Sequence, residues 1–329
     1  MERIAAWSTD QRAELFRETG ARKGMTPAVV EKDFWVCWAL GRLFSEPSIS
    51  RKVLFKGGTS LSKVFGLIER FSEDIDLILD WREVTAEDPQ AKRSRSKQDL
   101  FNKQIQLDAQ VYLREQMLPR LRSLLGDLGE VAVDSGDPNV LIIAYPAAFS
   151  EAYIRPEIRL EIGPLAIWLP NAGYEICPYA AEEFPAQFTE QRCRVQAIKA
   201  ERTFWEKATI LHHEAHRPEG SPQPVRYSRH YYDLARMANA EVKDSALRDL
   251  ELLRSVVASK DRFYPRGWAR YDLAVPGTMR LLPPGHVLSS LRRDYKEMQI
   301  MIYGDRPEFD AILRQIQALE HEMNALSST

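Results

Sequence analysis

Two aspartates, Asp74 and Asp76, stand two residues apart in the run Glu73-Asp-Ile-Asp-Leu77, downstream of the glycine pair in Phe55-Lys-Gly-Gly-Thr-Ser-Leu-Ser-Lys63. On an extended strand, residues at that spacing project from the same side, so both carboxylates can face one cation. Gly57 and Gly58 permit close approach of the backbone to a ligand, and the helix that follows offers unpaired N–H groups and a positive dipole end suited to phosphate. Two hard oxygen donors beside a phosphate cradle suit Mg²⁺. The segment is not a P-loop, because Gly58-Thr-Ser-Leu-Ser-Lys63 lacks the second glycine before its lysine. The bland alternative is a capped helix followed by an edge strand with solvated acids, and the glycine pair favours the ligand site over it.

Such residues need a strand, a turn, a helix and a second strand to hold them. Residues 51–55 form a short β-type run ended by Gly57-Gly58, 59–68 return to helical composition, and 75–79 alternate, with Ile75, Leu77 and Leu79 on one side and Asp76 and Ile78 on the other. Upstream, residues 9–44 read as helices, the second opened by Thr26-Pro27 and carrying Val30, Phe34 and Trp38 as a core stripe. Residues 82–98 read as a polar connection and 100–125 as helical, followed by β-like runs at 140–145, 158–162 and 192–198. Beyond Lys199 the pattern is mostly helical, at 199–215, 228–240, 244–258, 287–303 and 307–326. The expected fold class is α+β: a domain over 1–198 with a small mixed sheet flanked by helices, and a helical domain over 199–329.

Here the residues resemble a family. Gly57-Gly58-Thr59-Ser60 followed by Asp74-Ile75-Asp76 looks like the first motif of the DNA polymerase β-like nucleotidyltransferases. More narrowly, residues 56–63 with Arg70-Phe-Ser-Glu-Asp-Ile-Asp76 resemble the AbiEii toxin family, the nucleotidyltransferase toxins of bacterial type IV abortive-infection (toxin–antitoxin) systems. Glu31-Lys-Asp-Phe-Trp35 looks like that branch too. Thr203-Phe-Trp-Glu-Lys207 matches its later lysine motif, and Arg229-His-Tyr-Tyr-Asp-Leu234 its last, so the matches run from about residue 31 to 235. The resemblance implies transfer of a nucleotide from an NTP to RNA, at a tRNA 3′ end, by a toxin restrained by an antitoxin. It implies that Gly57, Gly58, Thr59 and Ser60, with Lys63, hold the triphosphate and that Asp74 and Asp76 bind two Mg²⁺. Lys207 would stabilise phosphate charge, and Asp233 would orient the base, the ribose or Lys207. A cleft between the two domains would house this site. The third metal carboxylate is assigned to Glu161, with Glu157 on the same side of the strand as the alternative. Read from pattern alone, Lys207 sits beside the apolar stripe of Phe204, Ile210 and Leu211, where a lysine can simply snorkel. Asp233, four residues after Arg229 and three before Arg236, reads equally well as a surface ion pair.

Other features are weaker. In His212-His-Glu-Ala-His216 the glutamate does not directly follow the first of the paired histidines, which argues against zinc hydrolysis and for a solvated helix end. Residues 92–103 hold five basic residues against one acid, and 254–271 interleave arginines with Phe263, Tyr264, Trp268 and Tyr271. Both are candidate RNA surfaces, with a charged linker and an irregular packing segment as the plainer readings. The whole chain of 329 residues balances 45 Lys+Arg against 47 Asp+Glu, net −2, and 44% of it is hydrophobic. That excludes wholesale disorder and a uniformly basic protein. Three cysteines at no metal-like spacing fit a reducing cytoplasm, and the start has no signal or membrane-spanning run, so a soluble, unprocessed protein is expected. Two rivals to RNA modification stand: nucleotidyl transfer to a small molecule or a protein side chain, and a silent nucleotide- or RNA-binding module.

Overall fold

A computed structural model describes residues 1–72, 74–151 and 154–326. The chain forms two compact units, the first made of Met1–Val64 and Phe71–Ile198, the second of Phe65–Arg70 and Lys199–Thr329.

In the first unit the helices α1 (Glu2–Ala5), α2 (Thr9–Lys23), α3 (Pro27–Ser45) and α4 (Pro47–Ser50) precede strand β1 (Val53–Lys56). Helix α2 starts at a capping box, Ser8 with Gln11, and stops at Gly24, whose φ of 66° closes the helix. Helix α3 starts with Pro27 in its first turn and the Thr26 hydroxyl accepting the Val29 N–H, but it buries far more than a stripe. Phe34, Trp35 and Trp38 are enclosed, and so are Glu31, Lys32 and Asp33. Three consecutive charged residues inside a helix need partners, and each fastens a different part of the unit. Glu31 accepts hydrogen bonds from the backbone N–H groups of Ala148 and Phe149, at 2.7 and 3.1 Å. Lys32 donates to the Arg155 carbonyl at 3.3 Å, and Asp33 receives Lys63 and the Tyr179 N–H.

After β1 come α5 (Gly57–Lys63), β2 (Asp74–Leu79), α6 (Arg95–Tyr112), α7 (Leu118–Leu125), β3 (Glu130–Val133), β4 (Val140–Ala144), β5 (Glu157–Gly163), β6 (Asn171–Ile176), α8 (Tyr179–Glu183) and β7 (Cys193–Ile198). The seven strands make one mixed sheet in the order β3-β4-β5-β2-β1-β7-β6. Strands β1 and β2 are antiparallel, while β2–β5 and β1–β7 are parallel. The sheet is larger than the expected small one, because β3 and β6 lengthen both ends. One face carries Phe55, Ile75, Leu77, Leu160 and Val195 into the main core with α3. On the other face Leu54, Ile78 and Ile198 form a minor apolar cluster. Period-two alternation therefore turns the acids of β2 away from the core.

The second unit holds α9 (Ala200–Ala215), α10 (Ser228–Ala238), α11 (Glu241–Leu247), α12 (Leu250–Phe263), α13 (Leu288–Met298) and α14 (Phe309–Ala325). The helix expected over 244–258 is two helices, with Asp249 capping α12 through the Leu252 N–H. Phe65–Arg70 joins this unit through an antiparallel bridge from Arg70 to Ile302 and a hydrogen bond from the Tyr303 N–H to the Glu69 carbonyl. Among the described residues no helix is long and apolar enough to cross a membrane.

Candidate functional site

Gly57 opens α5 with φ +81°, a left-handed backbone that disfavours any side chain. A Cβ there would lie 1.9 Å from the Asp76 Oδ2, so the missing side chain is also what leaves room for that carboxylate. Gly58, Thr59 and Ser60 are buried. The Thr59 hydroxyl donates to the Asp74 carbonyl and the Ser60 hydroxyl to the Gly57 carbonyl, so both hydroxyls stitch the turn to itself and to β2. Lys63, at the far end of α5, is buried with its ammonium 2.6 Å from Asp33 and over the Tyr179 ring at 3.8 Å. Burial works to lower its pKa, and the Asp33 carboxylate more than offsets this and holds the lysine above its ordinary range. The Asp33 carboxylate also accepts the Tyr179 N–H at 2.7 Å.

Register assembles the acids. Asp76 stands opposite Glu161 and Asp74 opposite Arg159 across the parallel β2–β5 pair, and Lys56 faces Asp76 across β1–β2. Residues directly opposite share a face, so Asp74, Asp76, Glu161, Arg159 and Lys56 all belong to the face turned from the main core. Glu157, four residues before Glu161, lies beyond Asp74 and pairs at 3.7 Å with Arg155 and Arg159. Arg159 approaches Asp74 at 3.5 Å and Asp134 at 2.8 Å, and its hydrogen bond lowers the Asp134 pKa. Among the described residues no three acid, imidazole or thiol groups already converge on one point as a metal site. The donors themselves, carboxylate oxygens on neighbouring strands, are the type a hard divalent cation takes. Glu73, the first residue of the acidic motif, lies outside the described residues.

In the second unit, Lys207 on α9 and Asp233 on α10 meet at 2.6 Å. Arg70 adds a two-pronged contact to the same carboxylate, Nε to Oδ1 at 2.6 Å and a terminal nitrogen to Oδ2 at 2.8 Å. All three are buried, Asp233 completely. The surface ion pair with Arg229 or Arg236 does not form: Arg236 binds Glu69 at 2.8 Å instead. Burial alone would raise the Asp233 pKa, but Arg70 and then Lys207 hold it well below the carboxylate range. Burial draws Lys207 below the ordinary lysine value, with Asp233 opposing and Arg70 adding to the shift. His230, whose Nδ1 is 3.5 Å from the Lys207 Nζ, is kept neutral by burial and by Lys207. Arg70 and Asp33 stand inside the 70–76 and 31–35 motifs, but nothing in their local pattern signals these buried partners.

His212, His213 and Glu214 are buried and His216 is half-buried, so the run is not the solvated helix end its composition suggested. His212 donates from Nε2 to the Arg270 carbonyl and accepts the Arg280 N–H at Nδ1, and burial lowers its pKa to about 4. Glu214 binds His213 at 2.9 Å and Arg217 at 2.6 Å; against the upward push of burial, these contacts lower its pKa to about 2. In the aromatic and basic stretch near residue 268, Phe263 and Tyr271 are buried and Trp268 is half-buried, with the Arg217 guanidinium 4.8 Å from its ring and the His213 ring edge-on to it, while Tyr264, Arg266 and Arg270 are exposed.

A glycine turn whose missing side chain accommodates an acid on the next strand, with further acids in register beside it, fits the nucleotidyltransferase motif that residues 57–76 resemble. The family model described as nucleotidyl transferase AbiEii toxin, type IV toxin–antitoxin system, matches residues 38–315. The chain belongs to that family, and is a nucleotidyltransferase toxin of a type IV system with an NTP as substrate and an antitoxin as its counterpart. Among solved structures it is similar to MenT4, a nucleotidyltransferase toxin from Mycobacterium tuberculosis, at 16% identity and a TM-score of 0.49, over 98% of this chain and 91% of that one. No curated protein matches.

Proposed function

We infer that the protein transfers a nucleoside monophosphate from an NTP to a hydroxyl of RNA, at a tRNA 3′ end. The acceptor oxygen bonds to the α-phosphorus, the bond to the β-phosphate oxygen breaks, pyrophosphate leaves and the hydroxyl proton is lost. The backbone of Gly57, Gly58, Thr59 and Ser60 cradles phosphate, since the two hydroxyls are already engaged. Asp74, Asp76 and Glu161 are the residues that would hold Mg²⁺, which when bound lowers the acceptor hydroxyl's pKa and offsets charge on the departing pyrophosphate. Asp74 exchanges its Arg159 contact for that role. Lys207 counters phosphate charge in the transition state, and Asp233, clamped by Arg70, fixes where that ammonium points. Lys63 holds α5 against α3 and so positions the turn, rather than touching phosphate. Residues 1–198 act as the nucleotidyltransferase domain, with 199–329 as the helical domain that supplies Lys207 and Asp233.

The supporting observation is the register that puts Asp76 beside Glu161, with Gly57 bare of a Cβ at the Asp76 carboxylate. Purified protein incubated with Mg²⁺, each α-labelled NTP and total tRNA is expected to label the RNA, and Asp76→Ala is expected to lose that signal. Label on protein or on a small molecule moves the acceptor to the rival class. No label anywhere, with Asp76→Ala indistinguishable, leaves only a silent binding module.

A further inference from the structure

Helix α6 packs with one face and leaves the opposite face apolar. Gln98, Asn102, Ile105, Ala109 and Tyr112 are its buried residues. On the other side Leu100, Leu107 and Val111 are 68%, 53% and 50% exposed, and their spacing puts them in a single stripe. Among the described residues, three of the eight large exposed hydrophobic side chains therefore lie on this one helix. Scattered apolar side chains on a surface are ordinary, whereas an aligned stripe marks an interaction site.

Charge gives the stripe a direction. Lys92, Arg95, Lys97 and Lys103 are exposed along the helix and the turn before it, and among the described residues none of them pairs with a carboxylate. Their neighbour Arg93 shows the contrast, bound to Glu87 at 3.0 Å and stacked 3.9 Å from the Phe101 ring. Of the acids on the helix, Asp99 and Asp108 are half-buried, and Asp108 already accepts a hydrogen bond from Gln104.

We propose that this face of α6 docks an acidic amphipathic helix of a partner protein, with apolar side chains on Leu100, Leu107 and Val111 and carboxylates on the flanking cations. Only a surface with both features complements this one. RNA would satisfy the cations and leave the leucines wet. A membrane surface calls for a longer apolar face with aromatic anchors. A second copy would set the same four cations against themselves. The proposal is independent of the transferase reading, because no residue of that chemistry lies on the stripe.

The test uses the full chain and four probes: a synthetic helical peptide of about 20 residues with leucine at helical spacing and flanking glutamates, the same peptide with lysines for glutamates, a single-stranded RNA, and phosphatidylglycerol vesicles. Fluorescence anisotropy or co-sedimentation is expected to show binding of the glutamate peptide and not of the lysine peptide. Affinity should fall by roughly tenfold or more in Leu107→Asp and in the Lys97→Glu/Lys103→Glu double variant. Unchanged melting and unchanged nucleotidyl transfer by Leu107→Asp establish that the fold is intact. The proposal is overturned if the glutamate peptide does not bind, or binds Leu107→Asp equally well. It is also overturned if only RNA or vesicle binding depends on the lysines, or if Leu107→Asp dissociates a dimer of the chain itself.

Discussion

The acidic sheet face of the first unit and the charged knot of the second use the same residue types in opposite ways. On the sheet, Asp74 meets Arg159 at 3.5 Å and its side chain is partly exposed. In the knot, Asp233 is fully buried and gripped by two cations at 2.6 to 2.8 Å. A partly exposed carboxylate costs less to rearrange than a buried one, which is strongly destabilising when stripped of its partners. The first arrangement suits groups that take up a ligand during turnover. The second suits a group that fixes the position of others. Lys63 and Asp33 resemble the knot, since the pair is buried and ties α5 to α3.

Substitutions should separate these two kinds of site. The largest effect on chemistry is expected for Asp76→Asn, which removes a donor whose contribution to charge stabilisation is several kcal/mol, or about 10³-fold in rate. Its stability in denaturant should stay near that of the parent; a large loss of stability would place Asp76 with the structural ions. For Asp233→Asn the order reverses. Chemical denaturation should show a loss of about 3–5 kcal/mol, because Arg70 and Lys207 are left buried without their counter-charge. A stability change within half a kcal/mol would break the comparison. Gly57→Ala should cost roughly 1–3 kcal/mol of strain from its positive φ and displace the Asp76 carboxylate; activity retained in a soluble Gly57→Ala protein would show that the close approach is unimportant.

The smallest expected effect tests the buried histidines. His212 has a folded pKa near 4, below its unfolded value of about 6.5. Its contribution is therefore complete above pH 6.5 and is lost as the pH falls towards 4. Between pH 7 and pH 5 this amounts to about 2 kcal/mol. Denaturant titrations at the two pH values should show that loss in the parent chain and a flatter profile in His212→Gln.

Legibility in the sequence followed interaction range. The strand–Gly-Gly–helix–strand unit is local, and alternation in 75–79 was enough to place Asp76 opposite the core face. Strand periodicity leaves Glu161 and Glu157 on one side, and only the β2–β5 register sets Glu161 directly opposite Asp76. Strand β6, Asn171-Ala-Gly-Tyr-Glu-Ile176, carries no alternation and forms through its pairing with β7. Arg70 and Asp233 are separated by 163 positions, so the helical neighbours Arg229 and Arg236 looked like partners when they are not. The histidine run misled for a related reason: its polar composition suggested solvent, and only the tertiary fold supplies the Arg270 and Arg280 backbone groups that satisfy His212.

The most direct measurement of the central claim is transfer from α-labelled NTP to RNA by Asp76→Asn, with its unfolding curve recorded on the same preparation. The account requires transfer to fall by about 10³-fold while the unfolding curve overlays that of the parent chain. Full transfer by a folded Asp76→Asn protein would contradict it.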